Sequence, residues 1–192
     1  MLYKLARAML YPIIYLLFWP KIEGIENTPE SGKVIIYSNH SSVFDPMVLG
    51  TLIPRRIHFM AKEELFKNSF FGAVLRRVGA FPVKRGKGDI SAIKNSLRIL
   101  KEDKALGMFP EGTRNKSGEI QNFARGIASI AVRAKSSVLP VAIVGGYRPF
   151  RRIKVLIGDP ICYEEYHNKR ISSKELDKIS EDMEYALRSL MY

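Results

Sequence analysis

The sequence predicts an α/β domain over residues 22–192, preceded by an apolar N-terminal segment over 1–21. Two observations carry this prediction. Short runs of apolar, mostly β-branched or aromatic residues are bounded by Gly, Pro or charge, and the stretches between them have helical periodicity. Strands alternating with helices imply layers, with loops at one sheet edge free to carry a site. A length of 192 residues suits one compact domain, and 46% hydrophobic with 26% charged residues is the composition of a folded protein, not of a disordered or collagen-like one.

The first element is the run AMLYPIIYLLFWP over 8–20, which is uncharged and follows Lys4 and Arg7. As a helix it would reach about 20 Å, short of a bilayer core of roughly 30 Å, so it does not span. Phe18, Trp19, Pro20 and Lys21 offer no small-x-small cleavage site, which argues for a retained segment. Tyr11, Tyr15 and Trp19 suit a headgroup interface, where Lys4 and Arg7 would meet anionic lipid. The alternative is a helix folded onto the protein's own core.

Strands are expected over 33–37 (KVIIY), 57–61, 80–83, 105–109, 138–144 and 153–157. After Asp89, Ile90, Ile93, Leu97 and Leu100 recur at helical spacing; near the end Leu176, Ile179, Met183, Leu187 and Leu190 do the same behind a Ser172/Glu175 capping box. These stripes are read as core. Past Pro20 no repeat, low-complexity tract or linker divides the chain.

Charge narrows the partners. With 31 Lys+Arg against 19 Asp+Glu the net charge is +12, which favours nucleic acid, an anionic membrane or a phosphorylated substrate. Cys162 is the only cysteine, so an intrachain disulfide is excluded, and three scattered histidines leave no Cys/His metal cluster. The stretch YRPFRRIK over 147–154 mixes aromatics with cations and suits RNA stacking or a lipid- or carrier-facing patch equally.

Three turns follow apolar strands. The first, SNHSSVFDP over 38–46, holds His40 and Asp45. Five residues apart they would stand about 140° from each other on a helix, but in a turn they can meet. An Asp accepting from one imidazole nitrogen leaves the other free to take a proton, the arrangement of a general base. Asp45 before Pro46 equally reads as a helix N-cap. The second turn, FPEGTR over 109–114, can present Arg114 and backbone N–H groups to an anion. The third, GAFPVKR over 79–85, ends a strand in Lys84 and Arg85. A plain surface turn and a solvated strand end are the alternatives for the last two.

In this order and spacing the three turns resemble the blocks of the glycerolipid acyltransferase family, in particular its bacterial 1-acyl-glycerol-3-phosphate acyltransferases. Asn39, His40 and Asp45 match the H-x-x-x-x-D signature with its preceding Asn, 109–114 match the F-P-E-G-T-R block without change, and Val138-Leu139-Pro140-Val141 looks like the apolar-Pro block. The second block departs from the pattern, since members often carry an aromatic and an acid where this chain has Pro82 and Lys84; Gly79 and Arg85 carry over. The resemblance covers about 24–158. It implies a single mixed-sheet acyltransferase domain flanked by helices, with an N-terminal membrane-associated helical segment.

The resemblance further implies transfer of an acyl group from a thioester to the free hydroxyl of lysophosphatidic acid. His40 would be the general base and Asp45 its orienter. Arg85, Lys84 and Arg114 would hold the acceptor phosphate, with Glu111, Gly112 and Thr113 around the phosphate and glycerol and Pro140 in the acyl-donor region. No cofactor is expected beyond acyl-CoA or acyl carrier protein as co-substrate, and no metal. The sequence holds no G-x-S-x-G elbow, which favours direct attack over an acyl-enzyme. The expected partners are lysophosphatidic acid, the acyl donor and an anionic phospholipid membrane, with no nucleic acid. The expected location is the cytoplasmic face of the cell membrane, as a monotopic protein. Another lysolipid acceptor, or a non-catalytic basic membrane-binding module, is the alternative.

Overall fold

The computed structural model describes residues 2–84, 89–115, 120 and 123–192. Its centre is a sheet of β1 (Lys21–Glu23), β2 (Val34–Ser38), β3 (Ile57–Lys62), β4 (Phe81–Val83), β5 (Ala105–Met108), β6 (Ser137–Val144) and β7 (Lys154–Ile157) in the order β1-β7-β6-β2-β5-β3-β4. Strands β6, β2, β5, β3 and β4 run parallel, while β7 is antiparallel to β6 and parallel to β1. The sheet is therefore mixed, and the carboxyl ends of these five parallel strands share one edge. That edge is where open α/β sheets receive ligands.

The period-2 alternation of β2 sorts its side chains onto two cores. Ile35 and Tyr37 face one layer, packed with Ile99 and Leu100 of α4 (Ile90–Lys101), Ile127 and Ala131 of α5 (Gly126–Ala134), and Ile179, Met183 and Leu187 of α6 (Ser173–Ser189). Val34 and Ile36 face the other, packed with Val48, Leu49 and Leu52 of α2 (Asp45–Leu52) and with Ile14 and Phe18 of α1 (Leu2–Phe18). Asp89 caps α4 by accepting from Ser91 and Ala92 N–H and also takes Lys84 N–H at 2.8 Å; these donors, Lys84 first, hold its carboxyl down to about 2. The Ser172/Glu175 capping box opens α6 as the spacing predicts.

The N-terminal segment differs from expectation in extent and in contacts. It is a continuous helix through Pro12, and its Ile14 and Phe18 lie in the second core. Arg7, expected at lipid headgroups, donates from Nε to Thr51 O at 2.7 Å, and Tyr3 Oη donates to Gly50 O at 2.9 Å, so both tie α1 to the end of α2. No helix among the described residues is long and apolar enough to cross a membrane. Strand β1 is absent from the sequence reading because three residues alternating charged and apolar carry too short a signal. Helix α3 (Ser69–Val78), capped by Asn68 at its start and by left-handed Gly79 at its end, and helix α5 are further additions.

Gly107 is required by close packing. It pairs in register with Phe59 across β5 and β3, and a Cβ there would stand 2.3 Å from Phe59 Cε1 and 2.7 Å from Ile57 Cγ2. Phe59 thus lies flat over β5. Gly107→Ala is expected to lower stability by about 1–3 kcal/mol, the usual range for overpacking, as read by urea denaturation, and to displace the Phe59 ring.

Candidate active site

Strand β2 delivers the first turn, and Asn39 fixes where that turn begins. Its buried amide grips Ile143 on neighbouring β6 from both sides: Nδ2 donates to Ile143 O at 2.9 Å, and Oδ1 accepts from Ile143 N–H at 2.8 Å. His40 follows at once. Its Nδ1 lies 2.8 Å from Oδ2 of Asp45, and the same oxygen accepts from the N–H groups of Ser41 and Ser42, each at 2.8 Å. The Asp45 side chain is fully buried, so these donors replace the water it has lost. The helix-cap reading of Asp45 is corrected here. Phe44 occupies the N-cap position of α2, and the Asp45 carboxylate turns back toward the preceding turn instead of forward to the helix N–H groups. An oxygen that already accepts two amide protons presents an acceptor to the imidazole, so Nδ1 carries the proton and Nε2 is the basic nitrogen.

The second turn closes on the first. Gly112 adopts φ 66°, its N–H donates to Phe109 O at 3.1 Å, and Thr113 and Arg114 are left exposed. Both backbone polar groups of His40 are held by this turn: its N–H donates to Glu111 Oε1 at 2.9 Å, and its carbonyl accepts from Asn115 N–H at 2.7 Å. Phe109 stacks against the imidazole with centroids 4.1 Å apart and an interplanar angle of 18°. Phe59, over Gly107, stacks on Phe109 in turn at 5.8 Å and 12°. The imidazole of His40 therefore rests on Phe109, itself backed by Phe59, with the His40 main chain held at both its N–H and its carbonyl.

Among the other residues singled out by sequence, Lys84 follows the carboxyl end of β4, exposed, with Nζ 3.9 Å from Glu63 Oε1. Strand β3 separates β4 from β5, so Lys84 and Arg114 share the sheet edge but stand on different strands. Arg85 lies outside the described residues. Pro140 is buried within β6, opposite Tyr37 in register and with its carbonyl accepting from Gly158 N–H at 3.0 Å. Pro140, expected in the acyl-donor region, thus lies inside the sheet, three residues before Ile143, which Asn39 grips. The Asn39 grip, the Phe59–Phe109 stack and the clamp on the His40 backbone are not visible in sequence, because each joins residues from separate strands.

The family model described as Acyltransferase matches residues 20–144. The 1-acyl-sn-glycerol-3-phosphate acyltransferase of Bacillus subtilis is 34% identical over 180 residues, covering 91% of this chain and 88% of that protein. The protein of the same name from Borreliella burgdorferi is 27% identical over 178 residues, covering 85% and 71%. The crystal structure of the 1-acyl-sn-glycerophosphate (LPA) acyltransferase, PlsC, from Thermotoga maritima superposes with a TM-score of 0.77 at 25% identity, over 98% of this chain and 78% of that one. The matched span includes both turns that hold His40, and the likeness in fold extends over nearly the whole chain, so the chain belongs to the acyltransferase family.

Proposed function

We propose that the protein transfers a fatty acyl group from an acyl thioester to the free hydroxyl of 1-acyl-glycerol-3-phosphate, forming phosphatidic acid by direct attack with His40 as general base. The observation that carries this reading is the His40–Asp45 pair, with Nδ1 bonded to a buried carboxylate and Nε2 left as the base. The relatives' names supply the acceptor class. In the step itself the acceptor oxygen bonds to the thioester carbonyl carbon as its proton passes to Nε2. The carbon–sulfur bond then breaks, and the proton leaves Nε2 for the departing thiolate. Asp45 steadies the imidazolium between these events. The donor is acyl-CoA or acyl carrier protein, used as co-substrate. Arg114, on the exposed tip of the second turn, is assigned to the acceptor phosphate together with Lys84 and Arg85.

Incubating the purified protein with a labelled acyl donor and a panel of lysolipids tests the reaction, and labelled phosphatidic acid is the expected product. Acylation of a different lysolipid in preference would reassign the acceptor. His40→Ala is expected to lower kcat by about 10²–10⁴ with the fold intact by circular dichroism, and a covalent acyl-protein trapped on any residue would count against direct attack. Arg114→Ala is expected to raise the acceptor KM about tenfold or more, the size of a lost charge-assisted contact of about 1.5–3 kcal/mol. A rise in the donor KM alone would turn this cation toward the donor.

The site is proposed to work at the cytoplasmic face of the membrane, as a monotopic protein seated by α1. While Ile14 and Phe18 of that helix face the core, Leu5, Met9, Ile13 and Leu16 stand exposed on its other side, with Trp19 just beyond. Such a row favours shallow insertion into an interface. Because deleting α1 would strip the core of Ile14 and Phe18, the cleaner test is Met9→Glu with Leu16→Glu. Flotation with anionic vesicles should be lost in this variant at unchanged melting temperature, and high salt should leave the wild type bound. Release of the wild type by salt alone would make the attachment electrostatic.

A further inference from the structure

Asp45 uses only one of its two oxygens in the bonds described so far. Its Oδ1 is buried with no hydrogen-bond partner, and the phenol oxygen of Tyr147 is buried in the same condition; with Thr28 Oγ1 they are the buried side-chain oxygens so placed among the described residues. A carboxylate oxygen is an acceptor only, and a neutral phenol has a proton to give. The two groups are neighbours. Burial pushes the Tyr147 phenol far above its ordinary range, and the Asp45 carboxylate beside it adds to the rise, so the hydroxyl keeps its proton.

The ring that carries this hydroxyl is held in place. Tyr147 follows the end of β6 through Gly145, at φ 97°, and Gly146. It packs edge-on against Phe18 of α1 at 5.1 Å and 87°, and against Phe44 at 5.7 Å and 37°; Phe18 and Phe44 meet at 5.6 Å. Phe44 is the residue before Asp45. The three rings thus form one cluster at the start of α2, with Asp45 next in the chain. A trapped, unpaired donor beside a trapped, unpaired acceptor is costly unless the two bond.

We propose that Tyr147 is a positioning residue for the dyad, its Oη–H donating to Oδ1 of Asp45 and so fixing the rotation of the carboxylate that orients His40. Oδ2 then stays on Nδ1 and on the Ser41 and Ser42 N–H groups while the imidazole gains and loses its proton. This rests on the reading of His40 and Asp45 as base and orienter, and the experiment separates the two.

Tyr147→Phe keeps the ring and removes one oxygen. It is expected to lower kcat by about tenfold, the scale of one lost hydrogen bond to a charged group, with the KM of both substrates nearly unchanged and the melting temperature lowered by a few degrees, because Asp45 Oδ1 stays buried without its donor. In the Asp45→Asn background the same change is expected to cost no further activity, since the two act as a unit. Wild-type kcat in Tyr147→Phe, a loss confined to KM or melting temperature, or full additivity in the double variant would each overturn the proposal. Full activity in His40→Ala would instead overturn the underlying dyad. Should Tyr147→Phe fail to fold, tyrosine labelled with ¹³C at Cζ gives a second reading. The Tyr147 resonance is expected to differ between wild-type and Asp45→Asn protein, and an unchanged resonance overturns the hydrogen bond.

Discussion

The buried carboxylate of Asp45 is the constraint on which the site depends. A charge removed from water is tolerable only where donors converge on it, and here the imidazole of His40 and the N–H groups of Ser41 and Ser42 all reach Oδ2. Gathering them forces residues 40–45 into a tight curl, which cannot continue β2 and cannot yet be helix. The curl must therefore be fixed at both ends. Asn39 fixes its entrance by pairing with Ile143 as a further rung between β2 and β6, and α2 begins at Asp45 itself.

The sheet explains why a second turn is available to complete the site. Parallel neighbours end at the same edge, so the turn after β5 lies beside the turn after β2 although about seventy residues separate them, as the Glu111 to His40 bond measures. The clamp on both backbone groups of His40 makes the imidazole position a property of two strands at once. Gly107 belongs to the same arrangement at one remove. Its missing side chain lets Phe59 lie across β5, Phe59 supports Phe109, and Phe109 supports the imidazole.

Much of this frame was legible in the sequence, because local chemistry suffices to write it. Apolar β-branched runs mark the central strands, Ser172 and Glu175 mark the start of α6, and a His and an Asp five apart after a strand mark the pair. What was illegible is non-local. Asp45 before Pro46 reads as a helix cap by composition, and only the folded turn shows its carboxylate pointing backward. The aromatic and basic stretch from Tyr147 suggested a surface for phosphate or bases, whereas its first residue turns inward to Phe18 and Phe44.

Helix α1 carries two opposed faces, and their coexistence limits how the protein can meet a lipid acceptor. Burying a large apolar side chain contributes about 1.5–3 kcal/mol, so Ile14 and Phe18 hold the helix to the second core while its outer row stays free to meet an interface. Tyr3 and Arg7 add directional bonds to the end of α2, which fix rotation about the helix axis. The helix is thus unable to turn its core face outward without breaking both. An interface that takes up Leu5, Met9 and Leu16 must accept the orientation that the domain already imposes. Because Phe18 on the inner face touches the Tyr147 ring beside Asp45, the helix that would set the domain's depth also packs against the residue proposed to hold that carboxylate.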